Sequence, residues 1–507
     1  MLKSIGSNWA LNALQIVVLM FLTPFTLRTL GADQNGVWVT VVSMTGVLRL
    51  LVLGVPMASV KSIAEARGRG DVAGVNRALS TCLAITLGMG VAAFALGWAQ
   101  LEAFQHGYLD AALGAALSPA QRDDALAAFV LAASQVAAAF VLRLPYGVLE
   151  AHDDFTVRNG IMALELFARA GLTIALLPRS PDLATLASIL VATMLLEFVL
   201  ARLAIARRHA GVRFSLASFD RSLVRGILSF SVFAMLLNVG TLLAFRCDAL
   251  VIGAWLDAEA TTQFDIGNKF FEPLTGFVIG IGAVVMPAAT RLKAGGKLAD
   301  LRPVLLRWTR ISFSLVLAVG VFLLLFGPEF LALWVGPEFA GPAGAVLRVL
   351  MVSFLVYLPV RGVALPILMG LGQPARPAAA LLAMGVVNVA LSIALVGTHG
   401  LLGVALGTAL PNAAFSLFVA AIACRELGVP PREFLGYAFG KPLVGALPAV
   451  ALALAYKQAV SVDTWIELVV GGALCTSALA LTWVVFVLRN DPWITLPGPL
   501  ARFGRRA

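Results

Sequence analysis

Charged side chains are scarce in this sequence. Of its 507 residues, 13% are Asp, Glu, Lys or Arg, and 60% are hydrophobic. Soluble domains carry about 25% charged residues. The shortage leaves no room for a large soluble domain and indicates that most of the surface faces lipid.

Cysteine and histidine are nearly absent. No CxxC spacing occurs, so the sequence suggests neither a disulfide framework nor a metal site. The histidines are too scattered for a catalytic cluster, and no GxxxxGK[ST] phosphate loop is present. We therefore expect no metal, no cofactor and no direct use of ATP. The cysteines are Cys82, Cys247, Cys424 and Cys475, and the histidines are His106, His152, His209 and His399.

Long apolar runs fill the chain instead. A helix needs roughly 20 apolar residues to cross a bilayer, and such windows predict an all-α membrane protein of about 14 transmembrane helices. The predicted spans are 8–30, 36–57, 79–101, 125–149, 159–178, 184–206, 227–253, 262–288, 309–327, 343–371, 377–397, 401–423, 441–459 and 465–488.

The net charge of +10 is distributed unevenly. The loops on one side hold little Lys or Arg beyond Arg122, Arg179 and Lys457, and the longest of them runs over 102–124. Because basic residues collect in cytoplasmic loops, the bias predicts that both termini are cytoplasmic. Membrane topology thus explains the positive charge, and we expect no nucleic-acid partner. The basic segments, all on the side of the N-terminus, are 61–77, 202–225, 291–310, 425–441 and 489–507.

A weak internal repeat divides the chain. Leu30–Trp38 after the first span and Leu256–Phe264 after the seventh share Leu, Ala, an acid and an aromatic residue in register. Six spans separate the copies, so the halves share one orientation, and a substrate site is expected between them. The predicted domains are an N-terminal lobe, a C-terminal lobe and an appended helix pair with a basic tail, at 1–225, 226–424 and 425–507.

Charges inside the spans are candidates for function. A charge at the bilayer centre costs about 2.5–3.5 kcal/mol, so it should face a protein interior or a cavity. Three cations near span ends, Arg28, Arg143 and Arg348, are interpreted as snorkelling to the interface. The remaining candidates are the cations Arg49, Arg169, Arg246, Lys269 and Arg361 and the acids Glu165, Glu197, Asp248, Asp265 and Glu272.

Some of these charges have neighbours on their own helix. Glu165 lies four residues before Arg169, and Lys269 lies between two acids at helical spacing, Asp265 and Glu272. An ion pair and a ligand site are both compatible with these spacings. Arg246 and Asp248 are two residues apart, on opposite sides of a continuous helix, so each needs another partner.

Arg49 and Arg361 have no acid within four residues. We expect them to line a cavity, with an interhelical salt bridge as the alternative. Pro359 and Pro366 bracket Arg361 and predict a kink there. A cavity lined by guanidinium groups suits a phosphate, because the planar fork binds phosphate oxygens in pairs. Asn12, Asn238, Asn388 and Asn412 could contact a sugar, although packing hydrogen bonds between helices explain such residues more often.

Three segments resemble a known family. Leu27–Trp38, Cys247–Leu256 and Leu331–Phe339, in this order, are similar to the polysaccharide transporters, the Wzx-type O-antigen flippases. The resemblance implies the fold of the multidrug/oligosaccharidyl-lipid/polysaccharide (MOP) exporters: two six-helix lobes in a V shape, plus a C-terminal helix pair here.

The resemblance also implies a function. Such proteins export an O-antigen or exopolysaccharide repeat unit linked to undecaprenyl diphosphate across the bacterial inner membrane, by alternating access driven by ion gradients. The related lipid II flippases keep cations in spans 2 and 8, where this chain has Arg49 and Lys269. With Arg246 and Arg361 these form the expected substrate-binding set. No motif fixes the ion-coupling acid, and Asp248, Glu165 and Glu197 are the candidates. Expected partners are the lipid-linked oligosaccharide, the bilayer and polysaccharide assembly proteins.

Three other functions remain in view. Lipid II as the cargo is compatible with the sequence. A drug antiporter of the same superfamily would need acids in its first helices, whereas spans 1 and 2 contain Arg28 and Arg49 and no acid. A membrane polymerase or ligase would need clustered His, Asp and Glu in a large outer loop, so we do not expect an enzyme.

Overall fold

The computed structural model describes residues 2–52, 55–113, 117–489 and 491–494. Within these ranges every regular element is a helix and no strand occurs, which confirms the all-α prediction. Eleven helical stretches of the described residues are long and apolar enough to cross a bilayer. The protein is therefore a multi-pass membrane protein.

The contacts divide the chain into two compact units, Met1–Thr262 (unit 1) and Gln263–Ala507 (unit 2). The lobe boundaries near 225 and 424 stay predictions. The helices that begin in unit 1 are α1 Leu2–Leu30, α2 Ala32–Val47, α3 Val55–Gly68, α4 Val72–Glu102, α5 Pro119–Leu142, α6 Leu144–Ala151, α7 Phe155–Leu176, α8 Leu183–Arg208, α9 Arg221–Phe245, α10 Asp248–Trp255 and α11 Ala258–Asn268. Those of unit 2 are α12 Phe271–Ala294, α13 Leu301–Trp334, α14 Pro342–Gly362, α15 Ala364–Gly370, α16 Ala375–Glu426, α17 Pro431–Leu435, α18 Lys441–Ala459 and α19 Trp465–Thr482.

Most predicted spans coincide with these helices. Twelve of them lie on the eleven membrane-crossing stretches, because α16 contains two and breaks at Gly400, whose φ is 53°. The second predicted span covers α2, a 3₁₀ turn over Leu48–Val52 and the start of α3, and the seventh covers α9 and α10.

The segment 102–124, predicted as the longest of the outer loops, is mostly helical. A π-helical stretch over Ala103–Leu113 continues α4, and α5 begins at Pro119 behind a capping box formed by Ser118 and Gln121. The stretch is helical because it buries aromatic surface: Phe104 stacks on Phe129 of α5 with ring centroids 4.7 Å apart.

Each unit contains a broken span with the same construction. In unit 1 the break between α5 and α6 falls at Arg143, and in unit 2 the break between α14 and α15 falls at Val363. Pro145 and Pro366 follow the two breaks, and proline cannot donate the hydrogen bond that a continuous helix requires. The kink predicted beside Arg361 is confirmed.

A cation from two spans earlier, on α3 in unit 1 and on α12 in unit 2, caps the end of each broken span. Arg67 Nη1 donates to the carbonyl of Ala151 at 2.9 Å, and Lys293 Nζ donates to the carbonyl of Leu371 at 2.6 Å. Such contacts satisfy carbonyls that a helix end leaves without a donor. The recurrence supports the internal repeat predicted from the sequence.

In unit 2 a buried ion pair fixes the chain after the last helix. Arg310 of α13 pairs with Asp491, and both side chains are at most 2% exposed. Tyr437 donates to Asp491 Oδ2 at 2.8 Å, and the backbone N–H of Trp493 donates to Oδ1 at 2.9 Å. Paired and hydrogen-bonded in this way, the buried charges avoid the penalty of an uncompensated ion.

Candidate functional site

A cavity of about 680 Å³ opens inside unit 1. Its walls come from the 3₁₀ turn Leu48–Val52, α3, α5 and α6, with Thr86 from α4. Its volume is typical of ligand-binding pockets. The lining residues are Arg49, Val55, Pro56, Ser59, Val60, Lys61, Thr86, Gln135, Val136, Ala139, Phe140, Arg143, Leu144, Tyr146, Gly147 and Glu150.

The charge of this lining is predominantly positive. It contains three cations, Arg49, Lys61 and Arg143, and one carboxylate, Glu150. Arg158 Nη1 donates to Glu150 Oε1 at 2.6 Å, so the carboxylate is already compensated. The pair of Lys61 with Glu65, by contrast, is long, at 3.9 Å, and exposed. The chemistry therefore favours an anionic group.

Arg143 reaches the cavity because of the break between α5 and α6. It is the C-cap of α5 and the N-cap of α6, with φ −91° and ψ −4°. Its guanidinium lies 3.5 Å from Glu197 Oε2, and its side chain is 57% exposed. The sequence interpretation of Arg143 as a snorkelling residue missed this pair with a buried carboxylate at a helix joint.

Glu197 lies behind the cavity wall, on α8, and its side chain is only 6% exposed. The hydroxyl of Tyr146 donates to Glu197 Oε1 at 3.0 Å. A second pair lies beside it on α7, where Arg169 Nε is 3.7 Å from Glu165 Oε1. Two of the three predicted ion-coupling acids thus occur together, next to the cavity.

The other predicted residues of unit 1 lie elsewhere. Arg246 caps the end of α9 and Asp248 begins α10, so the helix breaks between them. The prediction assumed one continuous helix, and that assumption is wrong. Arg246 is exposed, Asp248 is 2% exposed, and neither lines the cavity.

Two predicted cations belong to unit 2. Lys269 Nζ lies 2.5 Å from Asp265 Oδ2. Of the two alternatives that the sequence allowed, an ion pair or a ligand site, the structure contains the ion pair. Arg361 lies two residues after Pro359, at the end of α14. Among the described residues no carboxylate lies within 4 Å of its guanidinium.

Two of the four candidate sugar-contacting asparagines serve packing. Asn388 donates to Thr408 Oγ1 at 2.9 Å between the two halves of α16, and Asn412 donates to Ser353 Oγ at 3.4 Å. Both are 1% exposed. Asn12 is half-buried, and the side chain of Asn238 lies outside the described residues.

A histidine pair joins the turn after α6, which holds His152, to the end of α8, which His209 caps. The rings of His152 and His209 lie 4.0 Å apart. Burial lowers the pKa of His152, the carbonyl of Val148 opposes this by accepting from the ring, and His209 and Arg67 lower the pKa further. These contacts therefore favour the neutral form of the His152 ring, just after the end of α6.

Sequence reasoning misses part of this site. Lys61 belongs to the basic segment 61–77, which in the sequence is explained by membrane topology alone. No sequence pattern indicates a role for Tyr146 or Glu150. The one available signal is Arg143 two residues before Pro145, which places a cation at a helix break.

Comparison with known proteins identifies the fold. No family model and no curated protein matches the chain. A structure of the lipid II flippase MurJ, inward closed, is 12% identical with a TM-score of 0.68, covering 95% of this chain and 99% of that one. An inward-facing multidrug resistance MATE family transporter of the MOP superfamily is 18% identical with a TM-score of 0.66, covering 81% and 94%.

A third similar structure is a MOP superfamily transporter from Pyrococcus furiosus, described as having a binding pocket of reverse polarity that suggests a different function. It is 18% identical with a TM-score of 0.59, covering 84% of this chain and 96% of that one. At these identities the likeness establishes the fold alone. The chain has a MATE/MurJ-like fold, as predicted.

Proposed function

We propose that this chain is a flippase that moves a saccharide linked to undecaprenyl diphosphate across the bacterial inner membrane. The observation that carries the proposal is the cavity of unit 1, where three cations surround one carboxylate that is already paired. The protein acts as a carrier in this proposal and catalyses no covalent step.

The lining suits a lipid diphosphate physically. Arg49 and Arg143 offer planar guanidinium groups, which bind phosphate oxygens in pairs, and Lys61 adds a compact charge. Such contacts strengthen where water is scarce. The intervening lining is apolar, from Val55 to Leu144, and tolerates hydrocarbon beside the headgroup. Arg246, Lys269 and Arg361 remain candidate contacts along the path.

The similar structures support transport and leave the cargo open. Lipid II is the second candidate, because the MurJ likeness extends over 95% of this chain and so includes the C-terminal helix pair. Lipid II and the O-antigen precursors share the diphosphate, so the same cations serve either. Transport of both lipids, measured side by side, separates these candidates.

A drug antiporter is disfavoured by charge. The MATE structure shares the fold, but this lining would repel an organic cation because its only carboxylate is bound to Arg158. Reverse polarity of the pocket is likewise the feature linked to a different function in the Pyrococcus furiosus protein. Uptake of a cationic dye by proteoliposomes would contradict our proposal.

A leaflet-accessibility assay tests the proposal. The full chain is reconstituted with a fluorescent saccharide linked to undecaprenyl diphosphate, and dithionite bleaches only the outer leaflet. We expect the protein to expose the inner-leaflet label, and Arg49→Ala or Arg143→Ala to slow exposure about tenfold, because each removes a hydrogen bond to a charged group.

The matched control is Arg302→Ala. Arg302 pairs with Glu433 at 2.5 Å on an exposed surface of unit 2, far along the chain from the cavity residues. It should transport at the wild-type rate. Equal transport rates for all variants at equal protein amounts would show that the cavity cations do not contribute to transport.

A further inference from the structure

The pair between Arg143 and Glu197 is asymmetric. The cation is 57% exposed and lines the cavity, whereas the carboxylate is 6% exposed and does not. Their separation of 3.5 Å is longer than a well-formed charge-assisted hydrogen bond. A ligand in the cavity can therefore contact Arg143, whereas Glu197 stays buried behind the cavity wall.

The surroundings of Glu197 leave it dependent on Arg143. The Tyr146 hydroxyl, from α6, supplies a neutral donor to Oε1. From α7, Arg169 and Glu165 face the same region as a pair, so the Glu165 charge offsets much of the attraction of Arg169. Arg143 is the remaining cation facing Glu197.

An anion that binds Arg143 thus removes the compensating charge from a buried carboxylate. A buried carboxylate without a counter-ion is strongly disfavoured and is neutralised by binding a proton. We propose that Glu197 is a proton-binding site linked to the cavity, taking up one proton when an anionic headgroup takes Arg143. This inference rests on the proposed function, because it needs an anion in the cavity.

The exchange balances without any further reactant. The Arg143–Glu197 contact is lost and an Arg143–phosphate contact forms, while one proton passes from water to a carboxylate oxygen of Glu197. Arg143 and Tyr146 both line the cavity and both contact Glu197, so they mark the route from cavity water. Release of the ligand returns the proton.

Calorimetry counts this proton. Farnesyl diphosphate is the probe, titrated into the full-length protein in detergent at pH 8, in buffers of low and high ionisation enthalpy. The dependence of the binding enthalpy on the buffer gives the number of protons taken up. We expect the wild type to take up about one proton more than Glu197→Gln.

The Glu197→Gln variant should also bind the probe at least as tightly as the wild type, because glutamine competes less for Arg143. A purely structural role for Glu197 predicts weaker binding instead. Glu150→Gln is the matched control, since Glu150 lines the same cavity and pairs with Arg158, and its proton number should equal that of the wild type.

The outcomes separate the two proposals. If farnesyl diphosphate fails to bind the wild type, both the anionic site and its linked proton are refuted. If it binds and the wild type and Glu197→Gln take up equal numbers of protons, only the proton site is refuted. If the variant does not fold, zero uptake by the wild type at pH 8 refutes the proton site by itself.

Discussion

Arg348 shows how a cation within an apolar helix is held without a carboxylate. Pro328 lies inside α13 and has no N–H, so the carbonyl of Leu324 has no donor in its own helix. Arg348 Nε, from α14, donates to that carbonyl at 3.1 Å. The sequence interpretation of Arg348 as a snorkelling residue missed this contact, because a partner on another helix leaves no trace in local spacing.

We predict that Arg348→Ala lowers the free energy of unfolding by about 0.5–1.5 kcal/mol, the net contribution of one hydrogen bond, since it leaves the Leu324 carbonyl without this donor. The control is Pro328→Ala, which returns an N–H to α13. In that background Arg348→Ala should cost less, and thermal unfolding of the four proteins in detergent measures the difference. An equal loss in both backgrounds would refute the capping role.

Arg143 marks the limit of residue-level prediction at the site. Its buried partner, Glu197, lies 54 positions away on α8, and only packing brings the two together. Arg49 was predicted to line a cavity, and it does, as expected for a cation whose own helix offers no acid. The substrate role of either residue stays a proposal.

At the scale of elements, apolar windows predicted where helices occur and the boundary at 398–400, where α16 breaks at Gly400, but not the break inside the fourth predicted span. That break needs only one proline, Pro145, and one such residue hardly changes the apolar content of a window. The breaks nevertheless position the site, because the joint of α5 and α6 turns Arg143 into the cavity.

The close contact of α12 with α15 gives a test at this scale. A Cβ added at Gly370 would lie 2.6 Å from the carbonyl oxygen of Met286, and backbone cannot easily move aside. We predict that Gly370→Ala destabilises unit 2 by about 1–3 kcal/mol, measured by thermal unfolding in detergent.

The control for Gly370 is Gly397→Ala in α16. An added Cβ at Gly397 meets no atom within 4 Å, and alanine is the better helix former. This variant should be neutral or slightly stabilising. If both substitutions have the same effect, the close approach of α12 and α15 does not contribute to stability.

At the scale of the whole molecule, the two units share a construction but differ in chemistry. Each has a broken span capped by a cation from another helix, Arg67 in unit 1 and Lys293 in unit 2. Among the described residues, only the break in unit 1 has a cation that pairs with a buried carboxylate, Arg143 with Glu197. The repeat was visible in the sequence because Leu, Ala, an acid and an aromatic residue recur in register after the first and seventh spans, whereas the charge difference depends on single positions outside that pattern.

The claim that cavity cations recognise a diphosphate is tested most directly by varying the headgroup. Three fluorescent lipids with one saccharide and one prenyl chain, joined by diphosphate, by monophosphate or by an uncharged ether, are compared in proteoliposomes of the wild type and Arg143→Ala. We predict that the wild type moves the diphosphate lipid fastest and the uncharged lipid slowest, and that Arg143→Ala removes most of this difference. Equal rates for the uncharged and diphosphate lipids in the wild type would contradict the account.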